Sequence, residues 1–84
     1  MEVNNPGIMF AISESARNNT ILSLTYKAKD GKVSYRSVEP YEIKDGGLFA
    51  YDIAKGSIRK FLISSILSAE SQDAKFNPRY PVQI

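Results

Sequence analysis

Apolar residues recur at two different periods along this chain, and the change of period divides it. Ile8, Ala11, Ile12 and Ala16 fall three and four positions apart, with Ser13, Glu14 and Arg17 opposite. That spacing predicts an amphipathic helix over about residues 6–18. Asn5 is its expected cap, Pro6 suits the first helical position, and Asn18-Asn19 ends it. From Thr20 onward the period becomes two. Leu22, Leu24 and Tyr26 share one face of a predicted strand rich in β-branched and aromatic residues. Asp30-Gly31 then marks a tight hairpin, and Val33 to Ile43 continues as a long second strand. Pro40 lies inside it and predicts a bend or an unpaired edge.

Asp45-Gly46-Gly47 turns the chain again, Leu48 to Ile53 reads as a third strand, and Lys55-Gly56 as a third turn. Ser57 to Ile63 reads as the fourth strand. The period of Ile66-Leu67-Ser68-Ala69 fits either a fifth short strand or a helical turn. Residues 71–84 read as an extended tail, because Pro78 and Pro81 exclude regular structure. Phe76 and Tyr80 are available to pin that tail to the body. A helix followed by four or five short strands on tight turns predicts a mainly β domain. Its strands, over about residues 20–70, would close into a small barrel with the helix plugging one end. At 84 residues a single domain is expected, with a stability of about 5 kcal/mol.

Composition narrows the chemistry more than the fold. With 43% hydrophobic and 24% charged residues the chain reads as an ordinary globule and not a disordered one. It has no cysteine and no histidine. Disulfides, zinc-finger chemistry, thiol nucleophiles and the commonest general base are therefore all excluded. Asp30, Asp45 and Asp52 stand in turns or at strand ends, where aspartate serves conformation. Ser64-Ser65 has no evident base beside it. Asp45-Gly46-Gly47 is too short to cradle a phosphate and precedes a strand rather than a helix. No catalytic residue, metal site or cofactor is expected, and the chain does not read as an enzyme. Met1 to Asn5 begins no basic-then-apolar leader, and no apolar run is long enough to span a bilayer. A cytoplasmic protein without membrane attachment is the expectation.

The net charge of +2 is small but unevenly placed. Lys27, Lys29, Lys32 and Arg36 stand against Asp30 alone, and Lys55, Arg59 and Lys60 face no acid within their segment. Two blocks set a cation among aromatic and apolar residues on a short strand: Ser34 to Tyr41, and Arg59-Lys60-Phe61. Arginine answers phosphate or carboxylate, and an aromatic ring offers a stacking face. Each position also has a plainer reading. Arg36 can cover apolar neighbours with its stem, Arg59 can be an exposed arginine beside a core phenylalanine, and Tyr26 can bury its ring at a strand end.

The ordered series of these segments resembles the WYL domain, a small Sm-like or SH3-like β-barrel of bacteria and their phages. Ala11-Ile12 in the leading helix and Leu24-Thr25-Tyr26 before the first hairpin belong to that likeness. Tyr35-Arg36-Ser37-Val38-Glu39-Pro40 matches the family's arginine-x-valine-x-proline run. Leu48-Phe49-Ala50-Tyr51-Asp52, Arg59-Lys60-Phe61, Ile66 and the closing Phe76-Asn77-Pro78 complete it. The resemblance implies a regulatory ligand-binding module, of a family often attached to DNA-binding domains of transcription regulators. Its ligand would be single-stranded nucleic acid or a nucleotide. Carried over by position, Tyr26, Arg36 and Arg59 match the family's site, with Lys60 and Phe61 as neighbours. Arg36 and Arg59 would pair with phosphate, helped by Lys60, while Tyr26 and Phe61 shape or stack the site.

Two departures weaken that site. The family's tryptophan-tyrosine-leucine falls on Gly46-Gly47-Leu48, and two of its arginines fall on Leu62 and Ser65. They leave open a second reading beside the stand-alone ligand-binding module, a protein-interaction or oligomerising adaptor that has lost the ligand site. Unpaired strand edges would then meet a protein partner or another copy of the chain.

Overall fold

A computed structural model describes residues 6–84. The expected Asn5 cap lies outside them. Helix α1, Pro6–Asn18, leads into five strands: β1 Thr20–Lys27, β2 Val33–Lys44, β3 Gly47–Asp52, β4 Ser57–Leu62 and β5 Ile66–Lys75. They form one antiparallel sheet in the order β4-β3-β2-β1-β5. The fold is mainly β, as the change of period indicates. A single 3-10 turn, Ile63–Ser65, links β4 to β5. The ambiguous segment at Ile66 is thus a strand, and it runs to Lys75. The extended tail begins at Phe76 and not at residue 71.

Ile8, Ala11, Ile12 and Ala16 of α1 are buried, as their spacing requires, and Ser15 joins them. Ile8, Ala11 and Ile12 pack on Leu22 and Leu24 of β1, Val38 of β2, Leu48 and Ala50 of β3, Phe61 of β4 and Ile66 of β5. The Ser15 hydroxyl donates to the carbonyl of Thr20, so a buried polar group beside the helix end is satisfied. Asn19 takes a positive φ of 54° and breaks the helix.

The sheet curls without closing. Tyr26 of β1 reaches the edge strand β4 at one point: its hydroxyl accepts a hydrogen bond from the Leu62 amide at 3.0 Å. Pro40 sits where β2 changes partners. Pairing with β1 ends at Leu22–Val38, while pairing with β3 continues through Pro40–Ala50 and then slips by one residue before Glu42. The missing amide hydrogen of Pro40 therefore costs no bond with β1, and the slip bends the strand. This realises the predicted bend, within a central strand and not at an edge. Asp45 and Gly46 follow at φ 52° and 72°, the left-handed pair that a two-residue hairpin needs.

Beyond β5 the tail crosses the outer face of β2. Phe76 is buried and, like Tyr80, meets the Tyr41 ring edge-on, at centroid distances of 5.9 Å and 5.3 Å. Arg79 lies over the Tyr51 ring at 4.0 Å and reaches both carboxylate oxygens of buried Glu39, at 3.0 Å and 3.3 Å. The Tyr41 hydroxyl donates to Glu39 at 2.7 Å and accepts from the Arg79 amide at 2.9 Å. Burial first, and the Glu39 carboxylate after it, push the Tyr41 phenol up from 10.0 to about 12, against the opposing Arg79 amide.

The folded state thus holds the neutral phenol more tightly than the unfolded chain does. That stability is complete below pH 10 and is lost as pH rises through about 12. Alkaline unfolding followed by circular dichroism should show a loss on the order of 2–3 kcal/mol across that window. Tyr41→Phe should remove this step while lowering stability at neutral pH by about 1 kcal/mol. A step that persists in the variant would assign it to another group.

Candidate anion-binding site

Strand register sorts the predicted site residues. The pairs Leu22–Val38, Leu24–Arg36 and Tyr26–Ser34 put Arg36 on the inner face with the core. Val38–Asp52, Ala50–Arg59 and Leu48–Phe61 extend the same face across β3 and β4. Tyr26, Arg36, Arg59 and Phe61 therefore share one side of the sheet. Lys60 does not. It pairs with Phe49 and lies on the outer face, its ammonium 5.7 Å from the centre of that ring. Neighbouring residues of a strand point to opposite sides, so Lys60 cannot assist Arg59 on the inner face.

Three of the four inner residues touch. Phe61 is 2% exposed and meets Tyr26 edge-on at 5.1 Å. The Arg36 guanidinium caps Phe61 at 5.9 Å from its centroid, at the outer limit of a cation–π contact. Phe61 is thus a core side chain covered on its rim, with no free face for a base to stack on. Tyr26 is half-buried, with its hydroxyl on Leu62, so it shapes the rim.

Arg36 is not free. Its Nη1 donates to Oδ2 of Asp52 at 2.6 Å and its Nε to the Ser34 hydroxyl at 3.1 Å. Asp52 is wholly buried. Its second oxygen accepts from the Lys55 amide at 3.3 Å, and its main-chain carbonyl accepts from the amides of Lys55 and Gly56. One carboxylate therefore fixes Arg36 and the turn that leads into Arg59. Sequence reasoning placed Asp52 among conformational aspartates and missed this. The signal was present, because Asp52 has the same alternation as Leu48 and Ala50 and so had to face inward. Arg59 itself is exposed, with no hydrogen-bond or ion-pair partner among the described residues. On the inner face of β2, β3 and β4 the charged side chains are Arg36, Asp52 and Arg59, a net charge of +1.

Glycine at positions 46 and 47 also has a local explanation. Gly46 takes a positive φ, and a Cβ on Gly47 would overlap the side chain of Lys60. A bulky pair there would displace Lys60 from its place across β3. A groove on the outer face, by contrast, is lined by Ser23, Thr25, Tyr35, Ser37 and Ser68, with Glu70 as its charged side chain, since Arg36 turns its guanidinium to the inner face. A carboxylate without a cation beside it gives that groove no pull on an anion. Among the described residues no cluster of histidine, cysteine, aspartate or glutamate is placed to hold a metal, and no helix is long and apolar enough to cross a membrane.

No family model matches the sequence, and no curated protein matches it. Among solved structures the chain is similar to proteasome accessory factor B/C (PafBC) of Arthrobacter aurescens, with a TM-score of 0.74 and 21% sequence identity. The match covers 96% of this chain but 15% of that one, so the chain spans a small part of its neighbour. Likeness at this identity shows the fold alone, a helix leading into a small five-stranded antiparallel sheet.

Proposed function

We propose that this chain is a regulatory, ligand-binding module of the WYL type whose inner rim takes an anion, single-stranded nucleic acid or a nucleotide. The observation that carries the reading is Arg59. It is an exposed guanidinium without a partner among the described residues, on the same face as the Arg36–Phe61–Tyr26 cluster. Such a group is free to form charge-assisted bonds to phosphate. Arg36, held by Asp52, keeps the hydrogens of Nη2 for a further ligand contact. Likeness to a protein named as an accessory factor is consistent with a regulatory role. The module would act in the cytoplasm and carry out no catalysis of its own.

Fluorescence anisotropy of labelled single-stranded DNA and RNA, titrated at low and moderate salt, tests this. Binding should weaken as salt rises, and Arg59→Glu should reduce affinity about tenfold or more. Salt-independent binding, or an Arg59→Glu variant that binds like the parent, would refute the site. A second reading rests on a different observation: β4 and β5 each pair on one side only. Both edges are then open to a strand of a protein partner or of another copy. Light scattering that gives a dimer or ring, together with no nucleic-acid binding at low salt, would favour it.

A further inference from the structure

We infer that Asp52 sets the charge of the inner rim, so that it makes a single phosphate contact and favours a nucleic-acid strand over a nucleoside polyphosphate. This rests on the reading that the rim binds phosphate. Two arginines on one face look like a two-cation clamp. The contacts say otherwise, because Arg36 spends its charge on a wholly buried carboxylate 2.6 Å away. Among the described residues Arg59 is the only uncompensated cation on the inner face of β2, β3 and β4, so the rim carries +1. A nucleoside triphosphate concentrates several negative charges within a few ångströms and needs several cations to replace its water and counterions. A single strand spaces one charge per nucleotide, and one free guanidinium beside one neutral donor matches that density. Asp52 acts through Arg36 and is a positioning residue.

The test measures the salt dependence of binding to a fluorescein-labelled oligothymidylate. Each phosphate neutralised on a single strand contributes about 0.7 to the slope of log affinity against log salt. Asp52→Asn keeps an oxygen to accept from Arg36 but removes the compensating charge. It should bind the oligonucleotide several-fold tighter and steepen the slope by about 0.7. A merely structural role for Asp52 would leave the slope unchanged or make it shallower as binding weakens. Circular dichroism checks that the variant is folded. Should it not be, the charge-balanced variant R36M/D52N carries the test: affinity falls a few-fold for loss of the Nη2 donor, yet the slope stays at the parent value.

A slope that flattens by about 0.7 in R36M/D52N would show that Arg36 contributes a full charge, and would overturn the inference. So would an adenosine triphosphate competitor that displaces the oligonucleotide from the parent protein as well as unlabelled oligothymidylate does. If the parent protein does not bind, or Arg59→Glu binds like the parent, the site reading itself fails and this inference falls with it. If Arg59→Glu weakens binding but Asp52→Asn, shown folded, leaves the slope where it was, the site stands and the inference alone is wrong.

Discussion

Phe61→Ala is expected to leave little folded protein at room temperature. Phe61 is 2% exposed and stands where the core residues of β3, the Tyr26 ring and the Arg36 guanidinium meet. Truncating a buried phenylalanine removes its transfer free energy and leaves a cavity, together about 3–5 kcal/mol. A domain of this size holds roughly 4–13 kcal/mol in all, and a small sheet that does not close lies toward the lower end. Few residues could collapse into the space, because Leu48 and Tyr26 are held by strand pairing and by the Tyr26–Leu62 bond. Urea unfolding by circular dichroism should show most of the stability gone, whereas Phe61→Leu should lose about 1–2 kcal/mol. A folded, little-changed Phe61→Ala protein would mean that Phe61 is a surface ring able to stack on a ligand. Loss of binding in that variant, without a stability measurement, says nothing about contact.

That double identity of Phe61 illustrates what the sequence makes legible. Alternation placed Phe61 and Arg59 on one face, and the same rule put Lys60 on the other; chemistry read as a run of neighbours had joined all three. The helix and first four strands were readable because their apolar residues carry a clear period. Strand β5 was not, since Ile66 is its one buried residue and Ser68 to Lys75 shows no apolar alternation. Its extended state comes from pairing with β1, a contact between segments some fifty residues apart in the chain. Glu39 and Arg79 were hidden for the same reason: forty residues separate them, and only the path of the tail brings them together. Their pairing explains how a carboxylate on the outer face of β2 comes to be buried. Local pattern gives elements and faces; partners across the sheet follow from register, which one sequence shows only in part.

The Arg36–Asp52 pair bears most directly on how function should be tested. Arg36→Ala, the natural substitution at a suspected phosphate ligand, is expected to cost about 3 kcal/mol of stability before any ligand is considered. Asp52 is wholly buried, and without Arg36 its carboxylate keeps only the 3.3 Å bond from the Lys55 amide. An unpaired charge in that position is far costlier than a missing contact. Asp52→Asn alone should cost less, about 1 kcal/mol, because the Arg36 side chain is 21% exposed and can turn to water. R36M/D52N carries no stranded charge and keeps an apolar cover for Phe61. It should be more stable than Arg36→Ala, and a matching cycle built on Arg36→Met should give a coupling of about 2 kcal/mol. Urea midpoints for the parent, both single variants and the double variant measure this. Strict additivity would show that the 2.6 Å contact contributes no pairwise stability and that Arg36 is as free as Arg59. With coupling, lost binding in Arg36→Ala reports a weakened fold as much as a lost ligand contact, and Arg59 becomes the position at which binding can be read without that confusion.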